Sequence, residues 1–126
     1  MVDQKTELSE NFALDIVQLY QYLTTYKREY VMSNQILRSG TSIGANIAEA
    51  NCAESTDDFI HKLSIAQKEA SETKYWLKLL YRAKYIDDNQ YPPLRDRCEV
   101  LFKIISKIIA SCKLSRKHKQ TPTNLL

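Results

Sequence analysis

Two glycines and three prolines are spread over 126 residues. A β-rich fold needs turns every few residues, and turns draw on glycine and proline, so this scarcity points to long helices. Nowhere does the chain approach the run of roughly 18 apolar residues that spans a bilayer. The opening "MVDQKTELSE" has no apolar core of the signal-peptide kind, which gives a cytoplasmic expectation. Histidine occurs only at positions 61 and 118. A di-iron bundle uses two Glu-x-x-His pairs and further carboxylates, and the only approximation is Asp58-x-x-His61. A serine or cysteine nucleophile wants a histidine base beside it, and two histidines leave little room for one. The three cysteines, Cys52, Cys98 and Cys112, are odd in number and lack C-x-x-C spacing. They read as small buried hydrophobes in a reducing compartment.

Apolar residues recur at coiled-coil spacing. Phe12, Ile16, Leu19, Leu23 and Tyr26 step by four and three, with Ser9 as the expected cap. A second helix is expected from about Val31 to Glu54, with Ile36, Ile43 and Ile47 inward. "STDD" opens a third, where Ser55 and Asp58 resemble a capping box. Phe59, Leu63, Ala66, Ala70, Thr73, Leu77 and Leu80 then hold the period. The last helix starts near Pro92 and Pro93, which a first turn tolerates, and its seam is Leu94, Cys98, Leu101, Ile105, Ile108 and Cys112. Four amphipathic helices with short links define an all-α fold, an antiparallel up-down four-helix bundle over residues 1–115. Residues 116–126 show no periodicity and are expected to form a mobile basic tail. Leu14, Val17, Ile65 and Leu79 fall on outward faces, a surplus that a homo-oligomer would bury.

Both glycines lie in "SGTSIGANIAEA", residues 39–50. A phosphate cradle would follow a strand and carry a lysine, and this stretch has neither. A close helix contact suits the small residues Gly40, Ala45, Ala48, Ala50 and Cys52, with a kink near Gly40 to Gly44 recapped by Thr41 or Ser42 as the expected backbone feature. Asn46 and Glu49 stand beside Ile43 and Ile47, so a structural polar network is expected, with Arg38 and Ser42 the nearest partners.

"LRSGTSIGANIAEA" followed by "DFIHKLSIAQKEASETKYWLKLL" resembles the bacterial 23S ribosomal RNA intervening-sequence proteins. The resemblance covers about residues 8 to 115, and its signature is Ser42, Ile43, Asn46, Ile47 and Glu49. It implies a left-handed antiparallel bundle assembled as a ring-like pentamer, with no catalytic residues and no cofactor. The family is similar to the accessory variability proteins of diversity-generating retroelements, which bind a reverse transcriptase and nucleic acid.

Charge is uneven. Residues 1–60 hold four basic and nine acidic groups, a net of −5, whereas residues 61–126 hold fourteen basic and six acidic groups, a net of +8. This asymmetry fits either an anionic partner or two halves that attract each other. Lys68, Lys74, Lys78 and Arg82 on the third helix, Lys103, Lys107 and Lys113 on the fourth, and Arg116, Lys117 and Lys119 in the tail form the candidate basic surface, with Tyr75 and Tyr85 among them. Such a surface could neutralise phosphates of structured RNA or DNA and stack unpaired bases. The expected role is a non-enzymatic oligomeric scaffold for nucleic acid or a reverse-transcriptase partner. A protein–protein adaptor is the alternative, and an enzyme centred on Asn46 and Glu49 the weakest reading.

Overall fold

A computed structural model describes residues 3–124, with side chains through Lys117. It holds four helices and, among the described residues, no strand: α1 (Gln4–Thr25), α2 (Val31–Asn51), α3 (Thr56–Arg82) and α4 (Tyr91–Asn124). Each helix packs on two neighbours, so the order α1, α2, α3, α4 closes on itself around one core. Neighbours run in opposite directions. Ser9 lies near Gly44 and Ile16 near Gly40; Ser39 meets Thr73 and Glu49 meets Lys62. Lys74 meets Glu99 and Gln67 meets Ser106, while Asp15 on α1 pairs with Arg97 on α4.

Helix ends follow local chemistry. Asp3, not Ser9, caps α1, its carboxylate accepting from the Thr6 amide at 2.9 Å. Ser9 is instead buried inside the helix, on the same seam as Phe12, Ile16, Leu19 and Leu23. With α1 ended at Thr25, Tyr26 is 76% exposed and leaves the expected seam. Helix α2 starts on a buried carboxylate: Glu29 accepts from the amides of Val31, Met32 and Ser33 at 3.0, 2.7 and 2.8 Å, filling three orphan donors. It stops at Asn51, short of Glu54, and leaves Cys52 exposed. Ser55 caps α3 as expected, accepting from the Asp58 amide at 3.0 Å. Pro92 and Pro93 fall in the first turn of α4. That helix passes residue 115 without a break and continues to Asn124.

The seam is buried as the spacing requires at Phe12, Ile16, Leu19, Leu23, Ile36, Ile43, Ile47, Leu63, Ala66, Ala70, Thr73, Leu77, Leu80, Leu94, Cys98, Leu101 and Ile105. Toward the far end of the α3–α4 pair, burial passes to Ile60 and Ile109, and Phe59 and Ile108 are only half-buried. An α-helix rotates about 20° per heptad relative to a strict 3.5-residue stripe, which accounts for such slips. Of the outward apolar residues, Leu14 is 58% exposed, whereas Val17, Ile65 and Leu79 are half-buried. Thr73 shares a buried hydrogen bond with Ser39 at 3.0 Å, the polar rung of the α2–α3 contact.

Helix α2 runs unbroken through both glycines, and neither has a positive φ. Within this continuous helix the Thr41 and Ser42 hydroxyls donate back to the Leu37 and Arg38 carbonyls, at 2.7 and 2.6 Å, instead of recapping a new segment. The glycines answer to close approach instead. A Cβ on Gly40 would lie 2.8 Å from Ile16 Cγ1 and 2.9 Å from Cγ2. At Gly44 the nearest atoms, Ser9 O and Oγ, are at an ordinary 3.4 Å.

The two glycines should therefore respond in opposite senses to alanine. Gly44→Ala should stabilise, by up to about 1 kcal/mol of helix propensity. Gly40→Ala should lose that gain to overpacking and destabilise by about 1 kcal/mol. In an Ile16→Ala background the Gly40→Ala penalty should vanish, a coupling that urea denaturation of the four variants measures.

Candidate nucleic-acid interface

The outer sides of α3 and α4 carry the expected basic residues, but not all of them are available. Lys74 is half-buried, pairs with Glu99 at 2.6 Å and lies 5.1 Å over the Phe102 ring. Arg116 pairs with Asp57 in the first turn of α3. Lys117 is exposed, and the Lys119 side chain lies outside the described residues. Lys68, Lys78, Arg82, Lys103, Lys107 and Lys113 are exposed and make no ion pair among the described residues.

Their spacing explains the exposure. Lys68, Tyr75 and Arg82 repeat every seven residues on α3 with Lys78 between, opposite the buried Ala66, Thr73 and Leu80. Lys103 and Lys107 are one turn apart on α4, opposite Leu101 and Ile105. Tyr75 is 57% exposed, its ring held edge-on to Trp76 at 5.0 Å, whereas Tyr85 is half-buried against the core. The acids nearest this surface are engaged. Arg38 on α2 reaches Glu69 at 3.1 Å and also Glu72, which accepts the Trp76 indole N–H at 3.0 Å. The indole bond first, then Arg38, holds the Glu72 carboxyl below its usual range. The Glu72 bond in turn raises the Arg38 guanidinium. Lys74 likewise lowers Glu99.

The expected network around Asn46 and Glu49 is divided between two partners. Asn46 donates to the Ser42 carbonyl at 2.8 Å, inside its own helix. Glu49 is exposed and meets Lys62 at 3.3 Å, not Arg38. Ile43 and Ile47, between them, are fully buried. Burial raises the Cys98 thiol to about 12, so it stays protonated, and its Sγ lies 3.4 Å from the Ala70 carbonyl. Among the described residues no group of three or more His, Cys, Asp or Glu is disposed to hold a metal ion. Sequence spacing missed a second set of exposed cations, Lys27, Arg28 and Lys84, because it sits in connections where helical periodicity gives no orientation. The adjacent "YKREY", residues 26–30, was its legible signal.

Four helices closed on one core, with their chemistry confined to outward charge, define a small helical-bundle protein. The chain belongs to the family of 23S rRNA-intervening sequence proteins, whose model matches residues 4–107. Among solved structures it is similar to a protein of unknown function from the S23 ribosomal protein family of Bacteroides thetaiotaomicron. The two are 51% identical with a TM-score of 0.83, over 83% of this chain and 97% of that one. No curated protein matches the chain.

The carboxyl shifts give stability a defined pH sense. Asp3, lowered to about 2 chiefly by the Thr6 amide, and Glu72 and Glu99 all bind protons less readily folded than unfolded. Their contribution is complete above the ordinary carboxylate range and is lost as pH falls through the depressed values. The urea midpoint should fall between pH 7 and pH 3, and fall less in a Glu72→Gln, Glu99→Gln variant.

Proposed function

We propose that this chain is a non-enzymatic, cytoplasmic scaffold that assembles into a ring-like pentamer of left-handed bundles and binds structured RNA or DNA, or a reverse transcriptase carrying it. The observation that carries this reading is the set of six exposed basic side chains on α3 and α4 without ion pairs among the described residues. Cations left free on a folded surface release counterions from a polyphosphate when they meet it. Five copies of a modest patch would bind through linked contacts and gain avidity. Membership of a family named for intervening sequences in 23S rRNA supports the nucleic-acid side of this reading. The non-enzymatic side rests on the site chemistry: an exposed, paired Glu49 and an Asn46 bonded to its own helix do not assemble a base and a nucleophile.

A protein adaptor is the second reading, favoured by the groove between α1 and α4. That groove encloses about 490 Å³ and is lined by Leu8, Phe12 and Val100 beside the Asp15–Arg97 pair. Capture of a protein that survives nuclease treatment would support it.

Light scattering should return five times the 14.6 kDa chain mass. Fluorescence anisotropy with a labelled, structured RNA should show affinity falling steeply between 50 and 200 mM salt. The K78Q, R82Q, K103Q, K107Q variant should bind at least about tenfold more weakly with a shallower salt slope. No binding at 50 mM salt, or an unchanged variant, would contradict the nucleic-acid role.

A further inference from the structure

We propose that the end of the bundle formed by the α1–α2 and α3–α4 connections is a second contact surface that takes an unpaired nucleic-acid strand. Bases stack on Tyr26 and Tyr30, and Lys27, Arg28, Arg82 and Lys84 meet the phosphates. This extends the nucleic-acid reading above and rests on it.

Because neighbouring helices alternate in direction, both connections lie at one end. The α2–α3 register, Arg38 with Glu72 and Ser39 with Thr73, carries back to set Tyr30 level with Tyr81 and Arg82. Tyr26 is 76% exposed and Tyr30 56%, far more than core packing would leave two tyrosines. Aromatic faces presented to solvent among cations are what a single strand requires, since stacking accepts any base and the backbone needs only positive charge. A protein partner would want contiguous apolar surface, and Val31, 75% exposed at the first position of α2, is the large aliphatic residue presented beside this connection.

The backbone supplies an independent argument. Two non-glycine residues of the described chain have positive φ, Arg28 at 52° and Lys84 at 67°, and both are at this end. Lys84 occupies the left-handed position that closes α3, with the Tyr85 amide returning to the Leu80 carbonyl at 2.9 Å and the Lys84 amide to Tyr81 at 3.0 Å. Glycine takes such positions without strain and is the usual occupant. Here both positions keep a cation despite the conformational cost, and non-glycine residues held in this region cluster at functional sites.

The loop is also built, not slack. Glu29 is buried with its carboxylate on three α2 amides, and its own amide reaches the Leu23 carbonyl at 3.0 Å. Its charge is thus turned inward onto a helix N-terminus. The other acids of this end are likewise engaged: Asp87 accepts from the Asn89 and Gln90 amides at 2.9 Å each, and Asp88 from the Tyr81 hydroxyl. Asp87 and Asp88 stay exposed beside Arg82 and Lys84, so the part of this end that presents aromatic and cationic groups without an outward acid is the α1–α2 connection, with Tyr26, Lys27, Arg28 and Tyr30.

The test uses the full chain at low salt with two labelled probes, an oligouridine of about 15 nucleotides and an RNA hairpin with the same number of phosphates. Y26A, Y30A should weaken oligouridine binding by about tenfold or more and leave the hairpin within about twofold, since bases inside a duplex cannot stack on the rings. R28G, K84G should melt no lower than the parent, because left-handed strain is relieved, and still bind oligouridine several-fold more weakly. Circular-dichroism melting confirms that each variant is folded. Unchanged oligouridine affinity in both folded variants would overturn the proposal and reassign this end to a protein contact. If the hairpin binds and oligouridine does not, this inference alone falls. If neither probe binds the parent chain, it falls together with the nucleic-acid function.

Discussion

The bundle depends on one bare stretch of backbone. Gly40 lets α2 approach α1 until its Cα stands where any side chain would enter Ile16. Both residues are fully buried, so the approach sets the spacing of the α1–α2 pair at its centre. The opposite side of α2 is equally lean: Ser39 contacts Thr73, and α3 presents Ala66 and Ala70 to the core. Small residues at these points draw three helices together, while Phe12, Leu63, Leu77 and Leu101 fill the volume elsewhere. The glycines weaken α2 as an isolated helix, and the packing they permit offsets that weakness.

Such a core leaves the surface free to carry charge. The imbalance between the two halves of the chain is partly consumed inside the molecule. Asp15 pairs with Arg97, Glu49 with Lys62 and Asp57 with Arg116, each an acid from the first half meeting a base from the second. Arg38 with Glu69 and Glu72 crosses the same divide in the other sense. These exposed or half-exposed pairs contribute little stability one by one. Their larger consequence is subtraction: once they are formed, the cations without an ion pair among the described residues are found mainly on the outer sides of α3 and α4 and at the loop end, where Asp87 and Asp88 are also exposed.

Heptad spacing was enough to read the helices and most of the core, because burial of a stripe is a property of every turn and is repeated many times. Helix ends were not legible in the same way. A cap is decided by one hydrogen bond, and Ser9 and Asp3 both qualify by type; only the packing of Ser9 beneath Gly44 excludes it. Glu29 was missed because glutamate is not a usual capping residue, and its three amide bonds need a buried loop that periodicity does not describe. The recapping expected at the glycines does not occur, because Gly40 serves the close approach to Ile16 within one continuous helix. For the candidate interface, spacing placed Lys68, Lys78, Arg82, Lys103 and Lys107 outward, yet it could not reveal that Lys74 and Arg116 are paired, because ion pairing joins residues remote in sequence.

Native-state hydrogen exchange tests the seating of α2 most directly. If the Gly40 contact locks the helix, amides from Ser39 to Ile47 should exchange only through global unfolding, with the same protection as the centre of α3 around Ala70 to Leu77. Faster exchange confined to the turn between Gly40 and Gly44 would mean that this turn opens locally, and the close approach could not be what holds the bundle together.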